Sequence, residues 1–70
     1  MKVKVRWRNK NPFADMNNLT RVSDAEISDN TEYNQIEKFA KEATPVGFFL
    51  INIELPNKTY QYDSNGNIVE

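Results

Sequence analysis

Polar and apolar residues alternate strictly over residues 2–8, KVKVRWR. A period of two puts Val3, Val5 and Trp7 on one side of an extended strand and Lys2, Lys4, Arg6 and Arg8 on the other. The NKNPFADMNN that follows is rich in asparagine and carries a proline, which is loop composition. Its apolar residues, Phe13 and Met16, are expected to tuck under the sheet edge. Residues 19–23, LTRVS, predict a short second strand that pairs with the first as a wide hairpin.

The period then becomes helical. Ser23 with Glu26, and Asp29 with Glu32, both have the spacing of a capping box, and the second pair has the better case because a clear helix follows it. In TEYNQIEKFAKEA the residues Tyr33, Ile36, Phe39, Ala40 and Ala43 cover one arc of a helical wheel, so a helix is predicted over residues 30–43. Glu37 and Lys41 sit four apart on its wet side in the favourable order. Proline at position 45 disfavours the helical conformation at Thr44 and ends the helix there.

Beyond it the pattern is a β-meander, with strands over residues 46–55, 58–62 and 67–70. Leu55-Pro56-Asn57-Lys58 predicts a tight turn with proline at its favoured second position. Asn65-Gly66 predicts a second, two-residue turn. The first turn places Ile53 opposite Tyr60, Ile51 opposite Tyr62, Glu54 opposite Thr59 and Asn52 opposite Gln61. The second places Tyr62 opposite Val69 and Gln61 opposite Glu70. Like then meets like across both hairpins, and a one-residue slip would mix them.

These elements describe a two-layer α+β domain spanning residues 1–70, with one helix on one face of a four- to five-stranded sheet. The first strand is expected to run parallel to the 46–55 strand through a helical crossover. The facing set is Val3, Val5, Trp7, Tyr33, Ile36, Phe39, Ala40, Phe49, Ile51, Ile53, Tyr60, Tyr62 and Val69. No second helix covers the other sheet face, which carries Lys2, Lys4, Arg6, Arg8, Phe48, Leu50, Asn52, Glu54, Thr59 and Gln61.

Composition narrows the chemistry. The chain has 70 residues, with neither cysteine nor histidine. That removes disulfides, thiolate metal sites, thiol catalysis and the commonest general base. Its two glycines cannot build a phosphate-cradling loop. An enzyme is therefore not expected, and neither is a catalytic residue, metal, cofactor or small-molecule substrate. Paired carboxylates such as Asp24 with Glu26 read as solvated or capping groups. Asp63, Asn65 and Asn67 alternate like the start of a calcium loop, but the required glycine is misplaced, so a hairpin turn is expected. No run approaches the roughly 20 apolar residues of a membrane span. No signal-peptide pattern opens the chain, so the expected compartment is the cytoplasm.

Charge raises the functional question. Lys and Arg number 9 against 10 Asp and Glu, yet the cations Lys2, Lys4, Arg6, Arg8 and Lys10 crowd the first ten residues. The middle of the chain is acidic. Three readings follow for the uncovered face. The basic residues keep a sheet face soluble. Alternatively, Lys4, Arg6, Arg8, Phe48 and Leu50 form a surface for a protein partner or a second copy of the chain. As a further alternative, Lys4, Arg6, Arg8 and Phe48 bind single-stranded nucleic acid weakly, although no recognition motif of that class is present. The expected function is a small accessory or inhibitory protein-interaction module. The acidic segment from Asp24 to Glu32 reads chiefly as a solvated helix entry, and less well as a surface for a basic partner.

Overall fold

A computed structural model of the chain describes residues 1–69. Five strands form one antiparallel sheet in the order β2-β1-β3-β4-β5. They are β1 (Lys2–Asn9), β2 (Thr20–Glu26), β3 (Phe48–Glu54), β4 (Thr59–Tyr62) and β5 (Ile68–Val69). A single helical turn, α1 (Met16–Leu19), precedes β2, and the main helix, α2 (Tyr33–Glu42), packs on one sheet face. The domain is thus the expected two-layer α+β fold. No helix among the described residues is long and apolar enough to cross a membrane.

β1 obeys its alternation. Val3, Val5 and Trp7 are buried beneath α2, together with Ile36, Ala40, Phe48, Leu50, Ile53 and Tyr62. The Trp7 indole Nε1 donates to the Ala40 carbonyl at 3.3 Å and to Thr44 Oγ1 at 3.1 Å. Thr44 in turn donates to the same Ala40 carbonyl at 3.0 Å. The buried indole N–H is therefore satisfied where the helix ends, and Trp7 pins that end to β1.

β2 differs from the expected 19–23 strand. It extends to Glu26 and pairs with β1 along its whole length, from Arg8 opposite Thr20 to Lys2 opposite Glu26. Ser23 and Glu26 therefore lie in a strand, and no capping box forms there. The other expected box is also absent. α2 begins after Glu32 without a side-chain cap, and the Asp29 carboxylate instead accepts a hydrogen bond from the Met1 amine at 2.7 Å.

The long β2 also corrects the expected direction of β3. β3 pairs with β1 antiparallel, not parallel. The β1–β2 hairpin reverses the chain before α2 begins. The helical crossover consequently joins β2 to β3, with β1 inserted between them.

Pro45-Val46-Gly47-Phe48 forms a turn closed by a 3.0 Å bond from the Phe48 N–H to the Pro45 carbonyl. Gly47 has φ +85°, the left-handed value a type II turn requires at its third position. β3 therefore starts at Phe48 and not at residue 46. The β3–β4 register is as expected for Ile53–Tyr60, Glu54–Thr59 and Asn52–Gln61.

The last hairpin is shifted by one residue. Tyr62 pairs with Ile68 and Gln61 with Val69. Glu70 lies outside the described residues. Asp63 causes the shift: its Oδ1 accepts the N–H groups of Asn65 (2.9 Å) and Asn67 (3.0 Å), and its carbonyl accepts the Gly66 N–H. Gly66, at φ +86°, then follows as a left-handed residue. This makes a three-residue loop rather than a two-residue one.

Candidate interaction surface

The five residues singled out for partner binding do not come together. Lys4, Arg6 and Arg8 lie on the uncovered face, opposite Asp24, Val22 and Thr20 of β2. Phe48 and Leu50 are only 9% and 5% exposed and belong to the core beneath α2. The pairing of β1 with β3 explains the inversion. Arg6 pairs with Asn52, but the next residue, Trp7, pairs with Leu50. Ile51 is the extra residue of a β-bulge, and it reverses which side chains of β3 face inward. Past the bulge Ile53 is the core residue, whereas before it Phe48 and Leu50 are. Phe49 and Ile51, expected in the core, are instead half-buried.

On the uncovered face the basic row of β1 is flanked by acids. Arg6 Nη1 donates to Glu54 Oε2 at 2.9 Å and to Asn52 Oδ1 at 3.3 Å. Lys4 Nζ is 4.0 Å from Asp24 Oδ1. Lys2 stands opposite Glu26. Arg8 is exposed, and among the described residues it forms no ion pair. Exposed pairs of this kind contribute about 0–1 kcal/mol each. Their main effect is to cancel the field that a row of free cations would project.

Over β4 the helix is tied down by a tyrosine cluster. Tyr62 donates to Glu37 Oε2 at 2.5 Å, and its oxygen accepts a hydrogen bond from the Tyr33 hydroxyl. Tyr33 stacks on Tyr60 with ring centroids 3.9 Å apart. Burial pushes the Tyr62 phenol well above its ordinary range, and the bond to Glu37 acts in the same direction. Burial also raises Tyr33.

Trp7 ties α2 to β1 and the tyrosines tie it to β4. The inner face of β2 offers only Arg21, Ser23 and Ala25, too small at the last two positions to meet a helix. The result is a trough of about 240 Å³ between α2 and β2. Val3 and Val5 form its floor, with Ala25 and Ile27 on one side and Ile36 and Phe39 on the other. Phe39, expected in the core, overhangs this trough and is 60% exposed.

The trough adjoins the free edge of the sheet. β2 is an outermost strand of seven residues, and among the described residues it pairs on its β1 side only. The opposite edge, β5, is two residues long. Short edges, prolines, lysines and bulges are common protections against strand addition. β5 has the first of these. β2 contains neither proline nor lysine and pairs with β1 without a register shift, although it carries the charges Arg21, Asp24 and Glu26.

A third exposed region lies in the β1–β2 connection. Phe13 and Met16 do not tuck under the sheet; they are 92% and 91% exposed. Asparagine side chains hold the loop in shape. Asn9 Oδ1 accepts the Asn11 N–H, Asn11 Oδ1 accepts the Phe13 N–H, and Asn9 Nδ2 donates to the Asn18 carbonyl. Phe13 also lines a hollow of about 490 Å³ together with Arg21 and Phe48.

Sequence reasoning missed Phe39, Ser23, Ala25 and Ile27 as surface-forming residues. The available signal was the pair of small residues at alternate positions of an edge strand. Comparison with protein-family models, curated proteins and solved structures finds no match for this chain.

Proposed function

We propose that the chain is a small, non-enzymatic, cytoplasmic protein-interaction module, an accessory or inhibitory protein that works by presenting a surface to another protein. The observation that carries this reading is the trough between α2 and β2. Phe39 is 60% exposed beside a trough whose floor, Val3 and Val5, is itself only 3% and 4% exposed. A large aromatic left exposed in this way is the kind of residue that carries interface energy. The binding surface is therefore assigned to the helix-bearing side of the sheet. Pairing of Lys4 with Asp24 and of Arg6 with Glu54 leaves the uncovered face nearly charge-balanced.

The test compares proteins retained from a native extract by the wild-type chain, by Phe39→Glu and by Arg8→Ala. Both substituted positions are exposed, so the fold should persist. A partner held by wild type and Arg8→Ala but lost by Phe39→Glu is the expected result. Equal retention by Phe39→Glu, or no retained protein at all, contradicts the reading.

A further inference from the structure

We propose that the free edge of β2 is completed by an extended segment of a partner protein in which apolar and basic residues alternate. This inference rests on the interaction-module reading and names the partner's chemistry.

Three features of β2 converge. Among the described residues no strand pairs with its outer edge, so an incoming strand finds a ready backbone template. Its inner side adjoins the trough, with Ser23 and Ala25 leaving room above the floor of Val3 and Val5. A strand added there turns alternate side chains toward that trough, and apolar ones fit it. Its outer side is acidic in the same half of the strand. Asp24 lies 4.0 Å from Lys4 Nζ and Glu26 lies 3.3 Å from the Met1 amine, yet their side chains are 76% and 68% exposed, which leaves each room for a further cation. The remaining side chains of the added strand would face these carboxylates, and opposite charges attract across strands.

The chain already shows what such a strand looks like. On its occupied side β2 pairs with KVKVRWR of β1, which sets Lys2 opposite Glu26, Val3 opposite Ala25, Lys4 opposite Asp24 and Val5 opposite Ser23. The free side presents the same β2 side chains to its next neighbour. A second copy of the chain suits this edge less well. Pairing β2 with itself on a dyad at Asp24 sets carboxylate against carboxylate. A dyad at Val22 or at Ser23 sets Arg21 of one copy against Ser23 or Ala25 of the other, which offers each trough a cation in place of an apolar side chain.

The test uses three synthetic peptides titrated into isotope-labelled chain, with amide shifts as the readout. KVKVKVK has the alternation and the charge. EVEVEVE has the alternation with the opposite charge. KKKKVVV has the composition without the alternation. KVKVKVK should perturb the amides of β2 and of Phe39 and bind about tenfold or more tightly than either control, since two cross-strand charge pairs change sign or register. Converting Asp24→Lys together with Glu26→Lys should invert the preference toward EVEVEVE. Equal binding of all three peptides, no binding, or perturbation away from β2 overturns the inference. Shifts in β2 that grow with the chain's own concentration, without peptide, also overturn it and make a second copy the occupant. Loss of partner capture in Phe39→Glu alongside a failure of KVKVKVK leaves the interaction module standing and removes only strand addition.

Discussion

Leu50 lies opposite Trp7 on the inner side of the sheet, one residue out of step with the pairing of Arg6 to Asn52. That single offset carries Phe48 and Leu50 from the uncovered face into the core. Replacing Phe48 by alanine should therefore cost about 3–5 kcal/mol and Leu50→Ala about 2–5 kcal/mol. Urea unfolding followed by the fluorescence of the single tryptophan measures both. Losses below about 0.5 kcal/mol, the range of ordinary surface substitutions, would place these residues outside the core.

Thr44→Val keeps the shape of the side chain but removes the acceptor for the Trp7 indole and the donor to the Ala40 carbonyl. The indole retains its bond to that carbonyl. The expected loss is about 1 kcal/mol, read from the same unfolding curves. A loss of 4 kcal/mol or more would mean that Thr44 does far more than close this helix end.

The tyrosine cluster predicts an alkaline limit. Tyr33 and Tyr62 have phenols raised above the ordinary value of 10.0, so the folded state holds their protons longer than the unfolded state does. Their contribution is complete below pH 10 and is lost as the pH climbs through the raised folded values. Stability should fall steeply above pH 10, and the Tyr33→Phe with Tyr62→Phe double variant should show a shallower fall. Ultraviolet titration of the phenols alongside circular dichroism checks this. An identical alkaline limit in the double variant would contradict it.

The uncovered face is predicted to be a poor nucleic-acid surface. Arg6 is held by Glu54, and Lys4 lies beside Asp24. An oligothymidylate should bind weakly, and Lys4→Ala with Arg8→Ala should change little. Fluorescence anisotropy at low salt measures this. Tight binding that falls steeply with salt and is lost in the double variant would restore the nucleic-acid reading.

The elements with strong periods were legible in the sequence. KVKVRWR could bury only one of its sides, and Tyr33, Ile36 and Ala40 could face one way only on a helix. Leu55-Pro56-Asn57-Lys58 pinned the β3–β4 register. The bulge at Ile51 was not legible, for a physical reason. FFLI supplies apolar residues to both faces, so either phase satisfies the hydrophobic pattern, and the packing of Leu50 beside Trp7 decides between them. The slip at Tyr62–Ile68 follows from Asp63 binding two backbone N–H groups. The trough was hidden because it depends on where α2 is seated. Trp7 and the tyrosines tie the helix to β1 and β4, and Ser23 and Ala25 are too small to meet it. The partner-binding set suffered most, because Phe48 and Leu50 depended on the phase of β3.

The central claim is that β2 offers an open, fillable edge, and amide hydrogen exchange along residues 20–26 tests it most directly. In the free chain the amides that point toward β1 should be protected and those that point outward should exchange quickly, giving alternation along the strand. With KVKVKVK at saturation the outward amides should become protected as well. Uniform protection in the free chain would mean that the edge is already paired. Outward amides that stay unprotected at saturation would mean that nothing adds to it.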